Sequence, residues 1–268
     1  MRVGIVARPE PARLDLVRRA IQTLEQEGAE VVLQDLLADA LGRRNGAPVA
    51  KMDAEAIVAI GGDGTILYAL QHTRIPILGI NDGEVGFLTE APRAETERAL
   101  RRLCAGEYFI EPRLKLAVSV EGEPIGECVN EVVVKTPRPS KILLFRVLVD
   151  GNEIETVRAD GMIVASPTGS TSYALSAGGP LVDPGLEAMI VVPLAPFRLA
   201  TRPLVVPARV TVRLSQEEEG KEALLALDGQ LDIPVAPGAR IDVTAARDRA
   251  KFVRFRPHFL TRVRELLR

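Results

Sequence analysis

The chain has 268 residues, 47% of them hydrophobic and 26% charged, with a net charge of −2. That balance suits one large or two modest globular domains and supplies no field to draw in nucleic acid or an anionic membrane. Cys104, Cys128, His72 and His258 are the only cysteines and histidines, and their spacing argues against a zinc centre or a disulfide framework. No apolar run approaches the roughly 18 residues of a membrane span, and the start is too short in apolar residues for a signal peptide, so the expectation is a soluble cytoplasmic protein.

The first ninety residues alternate strand and helix patterns. Residues 2–7 (RVGIVA) read as a buried strand, 14–28 as a helix stopped by Gly28, and 30–33 as a second strand. Residues 57–60 and 75–80 are two further strands with a helix between them. Such alternation predicts a parallel sheet covered by helices. A helix over 94–105 follows, and then the texture changes. Residues 114–120, 142–149, 210–214, 223–227 and 241–244 fit a period of two, with Asp150-Gly151 and Asp228-Gly229 as turns between strand-like runs. This predicts two packed antiparallel sheets. Residues 216–220 (QEEEG) read as a solvated bend. Pro257 suits a first helical position, and Leu260, Val263 and Leu267 continue a stripe that would pack back on the first domain. The expected division is therefore an α/β N-terminal domain over 1–105, completed by 250–268, and an all-β C-terminal domain over 106–249.

Two stretches carry the chemistry. In residues 56–70, AIVAIGGDGTILYAL, a strand becomes a helix through Gly61-Gly62-Asp63-Gly64-Thr65. Such turns lie at the carboxyl edge of a parallel sheet, where ligands bind. Gly61, Gly62 and Gly64 let backbone amides approach phosphate, and Thr65 suits a helix cap. A carboxylate does not suit phosphate. The useful tasks for Asp63 are accepting a proton from an alcohol or holding Mg²⁺, both parts of phosphoryl transfer; the bland alternative is an Asp bonded to its own turn. The turn is neither a P-loop nor G-x-G-x-x-G.

Residues 159–184, ADGMIVASPTGSTSYALSAGGPLVDP, crowd hydroxyls around glycines after the apolar strand 162–165. Short hydroxyls and backbone amides make a cradle for ribose and phosphate oxygens, and Tyr173 can stack on a ring. Asn130-Glu131 interrupts a strand over 127–134 (ECVNEVVV). Adjacent strand residues face opposite ways, so both reach one ligand only at a bend or a strand end.

Together these stretches resemble the NAD kinase family. The matches are Gly61–Thr65; Gly79-Ile-Asn-Asp-Gly83 with Gly86-Phe87-Leu88; Asn130-Glu131; and Asp160-Gly161 with Ser166-Pro-Thr-Gly-Ser-Thr171, Tyr173 and Ser176-Ala-Gly-Gly-Pro180. Arg202-Pro203-Leu204-Val205 and Asp228-Gly229-Gln230 fit as well. The resemblance implies phosphorylation of the adenosine-ribose 2′-hydroxyl of NAD by ATP, or in some members polyphosphate, with a divalent metal, Mg²⁺, accompanying ATP. It implies a homo-oligomer, dimer or tetramer. It makes Asp63 the catalytic carboxylate, with phosphate near Gly61, Gly62, Gly64 and Thr65. Asn130 and Glu131 would hold ribose hydroxyls, and Gly64, Thr171, Tyr173 and Ser176 would line the substrate site. Arg158 and Asp160 would enter a site from a neighbouring subunit. Two positions depart from the family pattern. Phe197 stands where many members have histidine, which implies packing in place of a hydrogen bond, and Ser172 replaces a common alanine. The rival readings are a kinase of another alcohol, a lipid or a sugar, and a non-catalytic NAD(P) sensor.

Overall fold

The computed structural model describes all residues except 84–85, 139–140, 199, 219–220, 258 and 267–268. The chain forms two compact units, Met1–Pro112 with Ala250–Arg268, and Arg113–Arg249.

The first unit runs β1 (Arg2–Ala7), α1 (Pro11–Gln26), β2 (Glu30–Gln34), α2 (Asp35–Ala40), β3 (Gly46–Ala47), β4 (Ala56–Ile60), α3 (Asp63–His72), β5 (Ile77–Asn81), β6 (Ala91–Pro92), α4 (Thr96–Cys104) and β7 (Phe109–Arg113). The second contributes β8 (Leu116–Val120), β9 (Glu123–Cys128), β10 (Glu131–Lys135), β11 (Leu143–Val149), β12 (Asn152–Ala159), β13 (Gly161–Ala165), α5 (Tyr173–Ser176), β14 (Ala188–Leu194), β15 (Leu204–Pro207), β16 (Val212–Gln216), β17 (Ala223–Leu227), β18 (Leu231–Val235) and β19 (Arg240–Ala245). The chain then returns to the first unit with β20 (Ala250–Arg254) and α6 (Phe259–Leu266).

The first sheet has the order β3-β2-β1-β4-β5-β20-β7, with β6 also on β5. Its pairs β1–β2, β1–β4, β4–β5 and β5–β20 are parallel. Parallel strands are covered on both faces, which explains their unbroken apolar runs; all five residues of β4 are buried. Leu16, Val17, Ile21 and Leu24 of α1, and Ala99, Leu100 and Leu103 of α4, join Val3 and Ile5 in one core. The final helix packs within this unit, where Arg262 Nη2 donates to the Thr89 carbonyl (3.4 Å). His258 and Leu267 lie outside the described residues. Helix α2 is an element that the sequence pattern did not suggest.

The second unit has two six-stranded antiparallel sheets, β15-β14-β13-β10-β17-β18 and β12-β11-β16-β19-β8-β9. They share a core in which Val132, Val134, Met162 and Val164 meet Leu116, Phe145, Leu214 and Ile241. The alternate residues Val133, Ile163, Ala165 and Ala226 face the other way and pack on Ala174 and Val182. The central strands are thus buried on both faces. The strand expected over 127–134 is two strands: β9 ends at Cys128 in one sheet and β10 begins at Glu131 in the other, with residues 129–130 crossing between them.

Candidate active site

Asp63 is the first residue of α3, immediately after β4, and Gly62 holds the cap position without a side-chain cap bond. Thr65 is therefore not the cap; it is the third helical residue, and its N–H donates to the Gly62 carbonyl (3.0 Å). Gly62 and Gly64 are exposed, and the first turn of any helix presents amides without an intrahelical partner. The Asp63 carboxylate does not point free into solvent. Phe87 N–H donates to Oδ2 (2.9 Å) and Leu88 N–H to Oδ1 (3.0 Å). A Cβ at Gly86 would overlap that carboxylate, so the close approach needs glycine there. A carboxylate offers about four lone-pair sites, so two bonds to amides leave capacity for a hydroxyl.

The Gly79–Gly83 stretch is tied into the first unit by its own contacts. Asn81 Oδ1 accepts the Gly83 N–H (2.8 Å), and Asp82 gathers Arg13 (2.9 Å) and Arg93 (2.5 Å).

In the second unit, Asn130 and Glu131 stand at the crossover, which provides the strand end that two adjacent side chains require. The hydroxyl-rich stretch folds back on them. Ser166 N–H donates to the Asn130 carbonyl (2.8 Å), and Ser166 Oγ donates to the Val129 carbonyl (2.5 Å). A Cβ at Gly169 would overlap the Asn130 backbone. The stretch is not a loop: residues 168–171 make a 3₁₀ turn and α5 follows at once. Ser172 Oγ donates to Glu131 Oε1 (3.3 Å), so the departure from alanine supplies a hydrogen bond. Asn130 Oδ1 and Glu131 Oε2 are buried without a partner among the described residues. Thr171 Oγ1 donates to the Thr168 carbonyl (3.0 Å), while Tyr173 and Ser176 are exposed.

Sequence reasoning saw Asp228 only as a turn residue. Its carboxylate accepts three successive amides, Val129 N–H (2.8 Å), Asn130 N–H (2.7 Å) and Glu131 N–H (3.1 Å). Both Asp228 and Gly229 have positive φ, +49° and +64°, as the tight turn between β17 and β18 requires. The signals available were an acidic residue in that turn and the family match of Asp228-Gly229-Gln230, neither of which assigned it a partner. Burial, chiefly, and then the Asp228 charge push Glu131 up to about 8, against the pull of the Ser172 hydroxyl. Burial also raises Asp228, opposed by its three amide donors.

Arg158 and Asp160 are not brought to this place. Strand β10 pairs antiparallel with β13, Glu131 opposite Ala165 and Lys135 opposite Gly161. Asp160 thus lies at the far end of the ladder, more than ~13 Å along the strand from Asn130. Phe197, expected to pack, is instead 74% exposed, and its N–H donates to the Arg158 carbonyl (2.8 Å). Among the described residues, no three His, Cys, Asp or Glu side chains converge to hold a metal, and no helix is long and apolar enough to cross a membrane.

The fold is that of the NAD(H) kinases. Yeast NADH kinase complexed with NADH shares it with a TM-score of 0.90 at 24% identity, over 100% of this chain and 87% of that one. An NAD kinase from Archaeoglobus fulgidus in complex with ATP matches with a TM-score of 0.79 at 33% identity, over 100% and 97%. Residues 3–108 match the ATP-NAD kinase N-terminal domain and 129–255 the ATP-NAD kinase C-terminal domain. The chain is 40% identical over its whole length to the NAD kinase of Methanothermobacter thermautotrophicus, covering 96% of it. It is 41% identical to that of Thermococcus kodakarensis, over 95% of this chain and 94% of that one. The chain belongs to the ATP-NAD kinase family.

Proposed function

We propose that this chain transfers the terminal phosphate of ATP to the 2′-hydroxyl of the adenosine ribose of NAD, giving NADP and ADP. The observation that carries the reading is the placement of Asp63: a carboxylate at the first turn of α3, held by two amides and still able to accept a hydroxyl. In the transfer, the 2′-oxygen forms a bond to the γ-phosphorus as the bond to the β-phosphate oxygen breaks. The proton of the 2′-hydroxyl passes to the Asp63 carboxylate, late in a loose transition state where positioning dominates.

Gly62 and Gly64 would receive phosphate oxygens at the helix start, whereas the Gly61 and Thr65 N–H groups are given to the Ile80 and Gly62 carbonyls (2.9 and 3.0 Å). Asn130 and Glu131, with their unpartnered buried oxygens, would hold ribose hydroxyls, and Gly64, Thr171, Tyr173 and Ser176 would line the substrate site. Mg²⁺ would arrive with ATP and neutralise phosphate charge. The described residues offer it no cage, so we count it as part of the ATP substrate. The working form would be a cytoplasmic homodimer or homotetramer. A partner copy would supply Arg158 and Asp160, a reading supported by their distance from Asn130 and by the exposed Phe197 beside them.

Purified protein with NAD, ATP and Mg²⁺ should form NADP in a coupled assay, and a sugar or lipid alcohol should not replace NAD. Asp63→Asn should cut turnover by about 10²–10⁴-fold with NAD binding retained in calorimetry. Near-normal turnover of that variant would remove Asp63 from the reaction. Saturable NAD binding without any NADP would mark a sensor.

A further inference from the structure

Arg254 ends β20 and is 1% exposed, the largest fully buried side chain among the described residues. Its Nε donates to Glu111 Oε2 (2.8 Å), and its Nη1 donates to both Glu90 Oε2 (3.3 Å) and the Leu88 carbonyl (3.0 Å). The same Leu88 residue gives its N–H to Asp63. Leu88 is thus gripped from two directions, by the carboxylate through its nitrogen and by the guanidinium through its oxygen. The neighbouring chain is fastened as well. Glu90 N–H donates to the Gly79 carbonyl on β5 (2.8 Å), and Phe255 N–H donates to Glu90 Oε1 (2.9 Å).

A buried ion pair is a poor way to gain stability, because desolvation offsets the attraction. Neutralising Glu90 and Glu111 would also need only a point charge, which lysine supplies. Reaching two carboxylates and a peptide oxygen at once needs the planar fork of arginine. The contact that bears on Asp63 is the one to Leu88, the residue whose own N–H fixes that carboxylate.

We infer that Arg254 is a positioning residue for phosphoryl transfer, holding the Leu88 backbone so that its amide fixes the Asp63 carboxylate. The inference rests on the reading of Asp63 as the group that meets the ribose hydroxyl. Arg254 acts through Leu88.

The test is a double-mutant cycle read by single-turnover NADP formation, with Arg254→Met, Arg254→Lys, Asp63→Asn and each pair. Both Arg254 variants should lower kcat by up to about 10²-fold, with KM for NAD and ATP little changed. Arg254→Lys should keep the melting temperature near that of the parent, because the charge between Glu90 and Glu111 remains, yet it should not restore kcat. If Arg254→Met fails to fold, the lysine variant carries the cycle. In the Asp63→Asn background, either Arg254 change should cost almost nothing more. An unchanged kcat in Arg254→Lys, or costs that multiply in the double variant, would overturn this inference alone. A near-normal rate in Asp63→Asn would overturn the Asp63 reading and this one with it.

Discussion

Glu131 and Asp228 are two buried carboxyls tied to one stretch of backbone, 6% exposed each, and ionising both is costly. Asp228 has three amide donors that favour its charge; Glu131 has one hydroxyl at 3.3 Å. The proton therefore rests on Glu131, whose carboxyl is pushed from 4.5 up to about 8, first by burial and then by Asp228. The sign follows from proton counting. Between about 4.5 and about 8 the folded chain holds a proton on Glu131 that the unfolded chain has released. Stability from this group is therefore lost as pH rises through that window, by at most ~1.4 kcal/mol per unit. Glu131→Gln, a neutral isostere, should change the urea midpoint little at pH 5 and raise it at pH 8.5, flattening the slope between. The same slope in parent and variant would show that Glu131 is not the titrating group. Glu131 was legible in the sequence as half of a polar pair within an apolar run. Asp228 was not, because the amides it binds lie 97 to 99 residues away.

At the scale of elements, the crossover at residues 129–130 decides where Asn130 and Glu131 stand in the second unit. In the run ECVNEVVV the Asn130-Glu131 pair interrupts the apolar pattern without a glycine or proline to mark a turn, so the sequence pattern merges β9 and β10. What separates them is tertiary: Asp228 collects the amides of the crossing, and the turn after β13 settles on it. Helix α2 escaped for a related reason. Its six residues are too short for a periodic stripe, and only Leu37 and Ala38 are buried. The glycine turn at 61–65 was readable because strand, turn and helix are contiguous there. Gly169 tests the fit of the second-unit turn. An added methyl would strike the Asn130 carbonyl, with backbone on both sides of the clash. Gly169→Ala should therefore destabilise the chain by about 1–3 kcal/mol, as overpacking does. It should raise KM for NAD more than it lowers kcat, because Asn130 shifts. Urea unfolding and steady-state kinetics read the two effects, and parent-like values in both would mean that the turn does not hold Asn130 in place.

At the scale of the whole molecule, the order of the first sheet matters most. The chain leaves the first unit after β7, builds the second, and returns to lay β20 between β5 and β7. The strand alternation of the first ninety residues made the parallel sheet legible. It could not show that a segment some 170 residues further on occupies the place beside β5, since no local period encodes pairing across that separation. The late strand brings Phe252 and Val253, both fully buried, worth roughly 1.5–3 kcal/mol each, together with the Arg254 contacts. Domains are stable by only about 5–15 kcal/mol in total, so a chain ending at Arg249 should lose the first unit and not merely its last helix. Far-UV circular dichroism separates these outcomes. Helices α1 to α4 and α6 belong to the first unit, whereas the second has only the four-residue α5 among its described α-helices. If β20 is required, the truncated chain should lose most of its helical signal, keep a β-rich spectrum with its own unfolding transition, and form no NADP. If the helical signal falls only by the share of α6, the parallel sheet closes without its late strand, and the stabilising part assigned to β20 is wrong.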